Sequence, residues 1–152
     1  MPYTVTFHTQ AYKPHQSAVR SLGTQDDHMA ALDGLTFVEE STRELAWRIH
    51  LAHGNWPYDL SEGENEQYAA WRHDPRNIVR FFDNSCGCER TILPEVPGFH
   101  QGYVNADALV MEVEEKGSAK IDFCRFYDQR QYDTHMDGCY ISIEKDKEDL
   151  EA

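Results

Sequence analysis

Apolar residues between Ser41 and Trp56 recur with the period of an amphipathic α-helix. Leu45, Ile49 and Ala52 have the spacing i, i+4 and i+7. This spacing predicts that one stripe of the helix faces a core. Ser41 and Glu44 have the spacing of a capping box, in which each side chain satisfies a backbone N–H of the first turn. Gly54 follows where a residue in the left-handed conformation ends a helix. The stretch predicts a helix with defined ends.

The same helix carries a second apolar face. Trp47 and Leu51 fall roughly on the side opposite the first stripe. Large apolar residues of this kind are usually buried in folded proteins. We therefore expect the helix to be sandwiched inside the fold. Presentation of the second face to a partner is the alternative.

Other segments of the first half also carry secondary-structure signals. Tyr3 to His8 alternates apolar and polar residues, which predicts a half-buried strand. Ser61 and Glu64 form a second capping box, which predicts a helix to about His73. The remaining predicted elements are a short helix over Gln16–Leu22, a capped helix over Thr24–Leu32 with Gly34 as its stop, and a short strand over Leu35–Val38, for which the lead-in to the central helix is the alternative.

Asp74 and Pro75 have the pattern of an N-cap followed by proline at the first helical position. They predict a helix over Pro75–Asp83, whose buried residues would be Ile78, Val79 and Phe82. A strand over Ile78–Phe82 is the competing interpretation.

The second half contains alternating patterns that predict strands. The first strand is Ala108–Glu114, with Leu109, Met111 and Val113 on one face. Lys116-Gly117-Ser118 then indicates a hairpin turn, followed by a return strand over Ala119–Tyr127, with Ile121 and Phe123 facing inward, and a further strand over Cys139–Ile143. The predicted fold class is α+β, with helices in the N-terminal half packed on an antiparallel β-meander from the C-terminal half. The N-terminal strand is a candidate to join that sheet. We expect a single domain over residues 1–143 and an acidic flexible tail over 144–152.

Composition adds a strong negative charge to this picture. The chain has 27 acidic and 14 basic residues, which gives a formal net charge of −13. Direct nucleic-acid binding normally needs a basic footprint, so we expect no direct nucleic-acid contact, whereas a basic partner protein would be attracted. No apolar run approaches the roughly 20 residues that span a bilayer, and the N-terminus lacks the regions of a signal peptide. We therefore expect a cytoplasmic protein without membrane contact.

The cysteines offer a candidate metal site. Four cysteines in a chain without an export signal indicate reduced thiols. Cys86 and Cys88, with glycine between them, would be able to bind a soft metal such as zinc, and the remaining ligands would come from Cys124, Cys139, His100 or His135. The spacing of these residues matches no known zinc finger or ribbon. We expect no cofactor, with zinc at Cys86 and Cys88 as the alternative.

Histidines offer candidate chemistry at two places. His50 and His53 lie three apart on the predicted helix, but the HExxH arrangement of a catalytic zinc site is missing. We therefore expect two polar residues at the exposed end of a helix. His100 lies in a polar and aromatic loop, and with Asp107, or with Asp133 and His135, it would form an acid–base pair. An enzyme of unassigned class with a site near His100 and His135 is the alternative to a non-enzymatic function.

Carboxylates and aromatic rings are interspersed between Trp56 and Trp71. Aromatic anchors surrounded by charge are typical of protein–protein hot spots, and spaced carboxylates can imitate a phosphate track. The predicted partner-binding residues are Trp56, Tyr58, Asp59, Glu62, Glu64, Glu66, Tyr68 and Trp71, with Glu112 and Glu114 as a second patch.

Charge, size and this surface together predict a non-enzymatic inhibitor that docks on a basic, nucleic-acid-handling protein or complex. In net charge and length, the chain is similar to phage-encoded anti-CRISPR and anti-restriction proteins and to immunity proteins that neutralise nuclease toxins. This resemblance implies electrostatic steering, burial of aromatic anchors, and carboxylates that pair with arginine or lysine side chains of the target.

Overall fold

The computed structural model describes residues 2–9, 23–83, 86–96, 105–122 and 139–146. In chain order the elements are β1 (Tyr3–His8), α1 (Gly23–Leu32), β2 (Thr36–Glu39), α2 (Thr42–His53), α3 (Glu62–Arg72), a 3-10 turn (Pro75–Asn77), β3 (Val79–Asp83), β4 (Cys88–Ile92), α4 (Ala106–Lys116), β5 (Ser118–Asp122) and β6 (Tyr140–Lys145). A four-stranded antiparallel sheet has the order β2-β1-β6-β5, and β3 and β4 form a separate antiparallel hairpin.

One face of the four-stranded sheet forms the floor of the main core. Alternate side chains along β1, at Tyr3, Val5 and Phe7, are buried, as the period of a strand requires. Apolar residues of α1, α2 and α4 belong to the same buried cluster. In the described part of the chain, no helix has the length and apolar character needed to cross a membrane.

The predicted central helix is confirmed as α2. The Ser41 hydroxyl accepts the backbone N–H of Glu44 at 3.1 Å, while the Glu44 carboxylate reaches the N–H of Glu40, at 3.0 Å, instead of that of Ser41. Gly54 ends the helix with a φ of 81°. Both apolar faces are buried, because Trp47 packs beneath α3 while the opposite stripe faces the main core. The expected two-sided burial is therefore confirmed.

The helix expected over residues 75–83 is wrong, and the competing strand is confirmed. Asp74 accepts the backbone N–H of Arg76 at 2.9 Å, but the helical geometry ends after a single 3-10 turn. From Val79 onward, buried and exposed side chains alternate, and Phe82 lies 59% exposed instead of in the core. The period-2 pattern of this segment thus decides its structure beyond the first turn.

The strand expected over residues 108–114 is also wrong, because this segment belongs to α4. Asn105 caps the helix by accepting the N–H of Ala108 at 3.0 Å, and Gly117 ends it with a φ of 85°. The buried residues follow a helical period of i, i+4 and i+7; they are Ala106, Val110 and Val113. Met111, expected to face inward, is exposed. The predicted hairpin turn at residues 116–118 is therefore a helix terminus.

The fold class α+β is confirmed, but helices and strands interleave along the chain. The N-terminal strand does join the sheet, where β1 lies between β2 and β6. Strand β6 extends to Lys145. The helix expected over 16–22, the return strand beyond 122 and residues 147–152 lie outside the described residues, and the domain division stays a prediction.

Candidate functional site

A cleft of about 360 Å³ opens between α2, the loop that follows it, and α4. Its lining includes Arg43, Trp47 and His50 from α2, Pro57, Tyr58 and Leu60 from the loop, and Asp107, Val110 and Met111 from α4. The volume lies at the lower end of the range found for small-ligand pockets. It therefore suits a small group or a single inserted side chain.

Large apolar side chains stay exposed around this cleft. Tyr58 is 57% exposed and Met111 is 62% exposed, and both line the cleft. Trp56, in the same loop as Tyr58, is 44% exposed. We call the surface formed by Trp56, Tyr58, Met111 and the cleft the cleft face. It corresponds to part of the partner-binding surface predicted from the sequence.

Tyr68 lies at the centre of an aromatic cluster under this surface. It is fully buried, and its ring centre lies 4.6 Å from Trp56, 5.4 Å from Trp47 and 5.8 Å from the half-buried Trp71. Among the described residues, none forms a hydrogen bond with the Tyr68 hydroxyl, and burial raises the pKa of this hydroxyl to about 12. Tyr68 is thus not available to a partner, although the sequence placed it on the binding surface. Instead, the buried ring of Tyr68 packs edge-to-face against the exposed ring of Trp56.

Arginines flank the aromatic cluster. The guanidinium of Arg43 lies 4.7 Å from the ring centre of Trp47, and that of Arg72 lies 5.3 Å from the ring centre of Trp56. Arg72 also donates to Glu95 at 3.3 Å. The face therefore combines rings with cations that are already engaged in cation–π contacts.

Arg48 connects the layer of α3 to the sheet. Its Nε donates to the Glu39 carboxylate of β2 at 2.7 Å, and its Nη2 donates to the side chain of Asn77. The guanidinium lies between two rings, 4.0 Å from the centre of Phe37 and 4.7 Å from that of Trp71. Burial raises the pKa of Glu39, and the charge of Arg48 offsets this effect in part. The cluster fixes where α3 lies against α2.

His50 lies at the floor of the cleft. It is buried and packs edge-to-face against Tyr58, with ring centres 5.3 Å apart. Burial lowers the pKa of His50, while the negative charge of Asp107 acts in the opposite direction. The imidazole is therefore neutral at pH 7. His53 is buried too, which corrects the expectation that both histidines are exposed.

The predicted carboxylates of α3 and of the loop before it have different roles. Asp59, Glu62 and Glu66 are exposed. Glu64 completes a full capping box with Ser61, and the hydrogen bonds from Ser61 lower the pKa of its carboxyl. Glu64 thus stabilises the start of α3, while the other three are open to solvent.

The second predicted patch lies on α4 and is engaged in internal contacts. Glu112 approaches Lys116 at 3.6 Å, one helical turn away. Glu114 accepts hydrogen bonds from the Tyr3 hydroxyl and from Lys145, the latter at 3.0 Å, and these contacts lower its pKa. Because Tyr3 and Lys145 belong to the sheet, Glu114 points towards the sheet. Asp107, which lines the cleft, is the α4 carboxylate that the binding prediction lacked.

Cys86 and Cys88 form a disulfide, which differs from the expected reduced thiols. Gly87 between them has a φ of 70°, and the two Cα atoms lie 5.5 Å apart, a separation suited to a disulfide. In the described part of the chain, no group of three or more His, Cys, Asp or Glu side chains is arranged to hold a metal ion. The zinc alternative would require the reduced pair and stays a prediction.

His100, Asp133 and His135, the residues of the enzyme alternative, lie outside the described residues. The cleft itself was missed because one of its walls, which α4 supplies, comes largely from a segment predicted as a strand. The signal was present in the sequence, where Asn105 precedes apolar residues at helical spacing.

No protein-family model, no curated protein and no solved structure matches this chain.

Proposed function

We propose that this protein is a non-enzymatic binder that docks its cleft face on a basic surface of a partner protein. The observation that carries the proposal is the exposure of Tyr58 and Met111 at one cleft and of Trp56 in the same loop as Tyr58, whereas most other large apolar residues in the described part of the chain are buried. Exposed aromatic and methionine side chains around a concavity are typical of binding hot spots.

Local charge favours a basic partner. The segment 56–72, which includes α3, contains four carboxylates and one arginine, and α4 contains four carboxylates and one lysine. Both elements flank the cleft face, and the whole chain carries a formal charge of −13. A positively charged surface would therefore be steered towards this face, with an association rate that falls as salt is added.

The chemistry of the cleft fits a lysine or arginine side chain of the partner. Tyr58 offers an exposed ring at the rim and Asp107 a carboxylate, while the neutral His50 adds no opposing charge at pH 7. A cation against such a ring contributes about 0.5–2 kcal/mol, depending on how far water is excluded. Arg43 also lines the cleft and keeps its positive charge in the contact with Trp47, so we assign the incoming cation to Tyr58 and Asp107.

A nucleic-acid-handling protein or complex is the partner class that best matches this surface. Such proteins present arginine and lysine clusters for phosphates, and spaced carboxylates can occupy the same clusters. Binding there would exclude the nucleic acid and so inhibit the partner, in keeping with the similarity in charge and length to anti-CRISPR, anti-restriction and nuclease-immunity proteins.

Affinity capture from native lysate tests the proposal. We expect the wild-type chain to retain a nucleic-acid-binding protein at 50 mM salt and to lose most of it at 500 mM. Tyr58→Ala should abolish this capture, whereas Phe82→Ala, which removes an equally exposed aromatic ring outside the cleft lining, should not. Equal loss with both variants, or retention that does not depend on salt, would contradict the proposal.

Charge reversal then measures steering on the purified partner. Glu62→Lys combined with Glu66→Lys should lower the association rate constant at least tenfold at low salt, while the dissociation rate changes less. Glu64 is left intact because it caps α3. The matched control is Glu89→Lys combined with Asp122→Lys, which changes the net charge by the same amount outside the cleft lining; these carboxylates are 66% and 53% exposed. If this control slows association as much as the Glu62 and Glu66 variant does, general repulsion explains the effect and the cleft face has no special role.

A further inference from the structure

The turn of the β3–β4 hairpin carries a solvent-exposed disulfide. Cys86, Gly87 and Cys88 are all exposed, and the two sulfurs belong to residues only two positions apart. Exposed disulfides are open to attack by thiolates, whereas buried structural ones are protected. This pair is therefore placed for exchange with thiols in solution.

Contacts other than the disulfide hold the hairpin in its place. Strands β3 and β4 pair in register from Val79 with Ile92 to Asp83 with Cys88. Buried Val79 and Phe81 anchor the hairpin, and α1 packs against β3. A cross-link that closes so short a loop restricts the unfolded chain very little. Opening it should leave the ladder and the core contacts in place.

Charges near the pair also permit thiolate attack. The buried Asp83, directly opposite Cys88 in the ladder, has its carboxylate 2.7 Å from Arg90 Nε. Its negative charge is therefore compensated beside the disulfide. Arg80 and Glu89 approach each other at 4.0 Å on the same hairpin, so this part of a very acidic protein is locally balanced. An incoming thiolate meets less repulsion here than elsewhere on the chain.

We propose that Cys86 and Cys88 form a reversible dithiol–disulfide site that exchanges with low-molecular-weight thiols, independently of the proposed binding function. A thiolate attacks one sulfur and forms a mixed disulfide, and the other cysteine leaves as a thiolate that takes a proton from water. A second thiol then attacks the mixed disulfide. The protein gains two thiol groups, and two small thiols become one small-molecule disulfide, so electrons and atoms balance.

Equilibration of the folded protein with reduced and oxidised glutathione tests the proposal. Thiols are trapped by alkylation at each redox ratio and located by peptide mass spectrometry, while circular dichroism reports folding. We expect Cys86 and Cys88 to pass together from fully oxidised to fully reduced and back, with unchanged circular dichroism. The thermal midpoint should fall by no more than about 6 °C on reduction.

Two controls separate exchange from unfolding. Buried Cys139 should stay unmodified throughout, because it is 0% exposed. Cys86→Ser should leave Cys88 able to take up one glutathione but unable to release it by internal attack, so the mixed disulfide accumulates. The proposal is overturned if the pair reacts only after Cys139 becomes reactive, if reduction unfolds the domain, or if Cys86 and Cys88 stay thiols in fully oxidised glutathione.

Discussion

Replacement of Arg48 by methionine tests whether the buried cluster beneath the candidate site holds α3 in place. Methionine has a similar length and keeps apolar contact with Phe37 and Trp71, but it removes the positive charge. Glu39 then stays buried without its partner, and the Asn77 side chain loses a donor. Both side chains of the ion pair are only 2% exposed, so water cannot replace the arginine unless the structure opens.

The expected cost follows from this burial. Removal of one member of a buried ion pair destabilises proteins by about 3–5 kcal/mol, because the remaining charge is left uncompensated. For a chain of this size, that corresponds to a fall in thermal midpoint of roughly 6–20 °C. Replacing both residues, as in Arg48→Met with Glu39→Met, removes the buried charge altogether. We therefore expect the double variant to be more stable than either single variant.

Urea denaturation, followed by tryptophan fluorescence and circular dichroism, measures the free energy of unfolding of the wild type and of the three variants. The pH dependence adds an independent check on Arg48→Met. Without arginine, the pKa of Glu39 rises further, so the folded state binds the proton more tightly than the unfolded state does. Its stability relative to wild type should therefore recover as the pH falls from 7 to 5. The test compares the loss of unfolding free energy in the double variant with the sum of the losses in the two single variants. Agreement within about 0.5 kcal/mol would show that Arg48 and Glu39 are not coupled and would refute this account of the cluster.

Other substitutions probe the fold at single positions. Tyr68→Phe should leave stability in urea denaturation unchanged or raise it by about 1 kcal/mol, because no described residue forms a hydrogen bond with the buried hydroxyl. A loss above about 2 kcal/mol would indicate that this hydroxyl does form a hydrogen bond. Burial lowers the pKa of His28 from 6.5 to about 4, so the unfolded state takes up the proton first as the pH falls. Up to about 3 kcal/mol of stability should therefore be lost between pH 6.5 and pH 4. His28→Leu should remove this part of the pH dependence of the urea midpoint. Gly117→Ala should cost about 1–2 kcal/mol of stability, because the φ of Gly117 is 85°. The control Gly63→Ala lies in α3 with open space around the added methyl group and should stabilise the protein by about 0.5–1 kcal/mol. Equal thermal midpoints of the two variants would contradict both expectations.

The sequence predicts those elements whose ends and faces are encoded locally. Helix α2 begins after Ser41 and ends at Gly54 because side-chain capping and a left-handed glycine act within a few residues. The capping box at Ser61 and the alternation in β1 are equally local signals, and both elements form where expected. Such patterns require no knowledge of the rest of the chain.

The wrong assignments have a common cause. Residues 111–114 alternate apolar and polar side chains directly after an apolar run at 108–110, and this short window suggests a strand although the pattern from Asn105 to Gly117 is helical. The longer window includes a cap at each end, and tertiary packing buries Val110 and Val113, not Met111. Residues 75–83 show the reverse error, because a strong N-cap at Asp74 suggests a helix that the following alternation does not continue.

The candidate site was predictable only in part for the same reason. Exposure of Trp56 and Tyr58 agrees with the expectation from the sequence, since both lie in a loop rich in polar residues. Burial of Tyr68 depends on how α3 packs on α2, which no local pattern specifies. The contribution of Asp107 to the cleft requires α4 to be a helix packed beside α2. Sequence patterns identify single exposed residues more readily than a concavity built from three segments.

Arg48 and Tyr58 separate two ways in which binding can fail. Tyr58 is exposed at the rim of the cleft, so its removal should weaken binding while the urea midpoint stays within experimental error. Arg48 is buried and can affect a partner only through the position of α3, so its removal should lower stability first. In the double variant with Glu39→Met, we expect stability to rise above that of Arg48→Met without the cation between the two rings. If binding returns together with stability, the buried cluster acts as a support for the cleft face. If binding stays lost, the guanidinium of Arg48 itself sets the geometry of Trp71 and of the Tyr68 ring that packs on it.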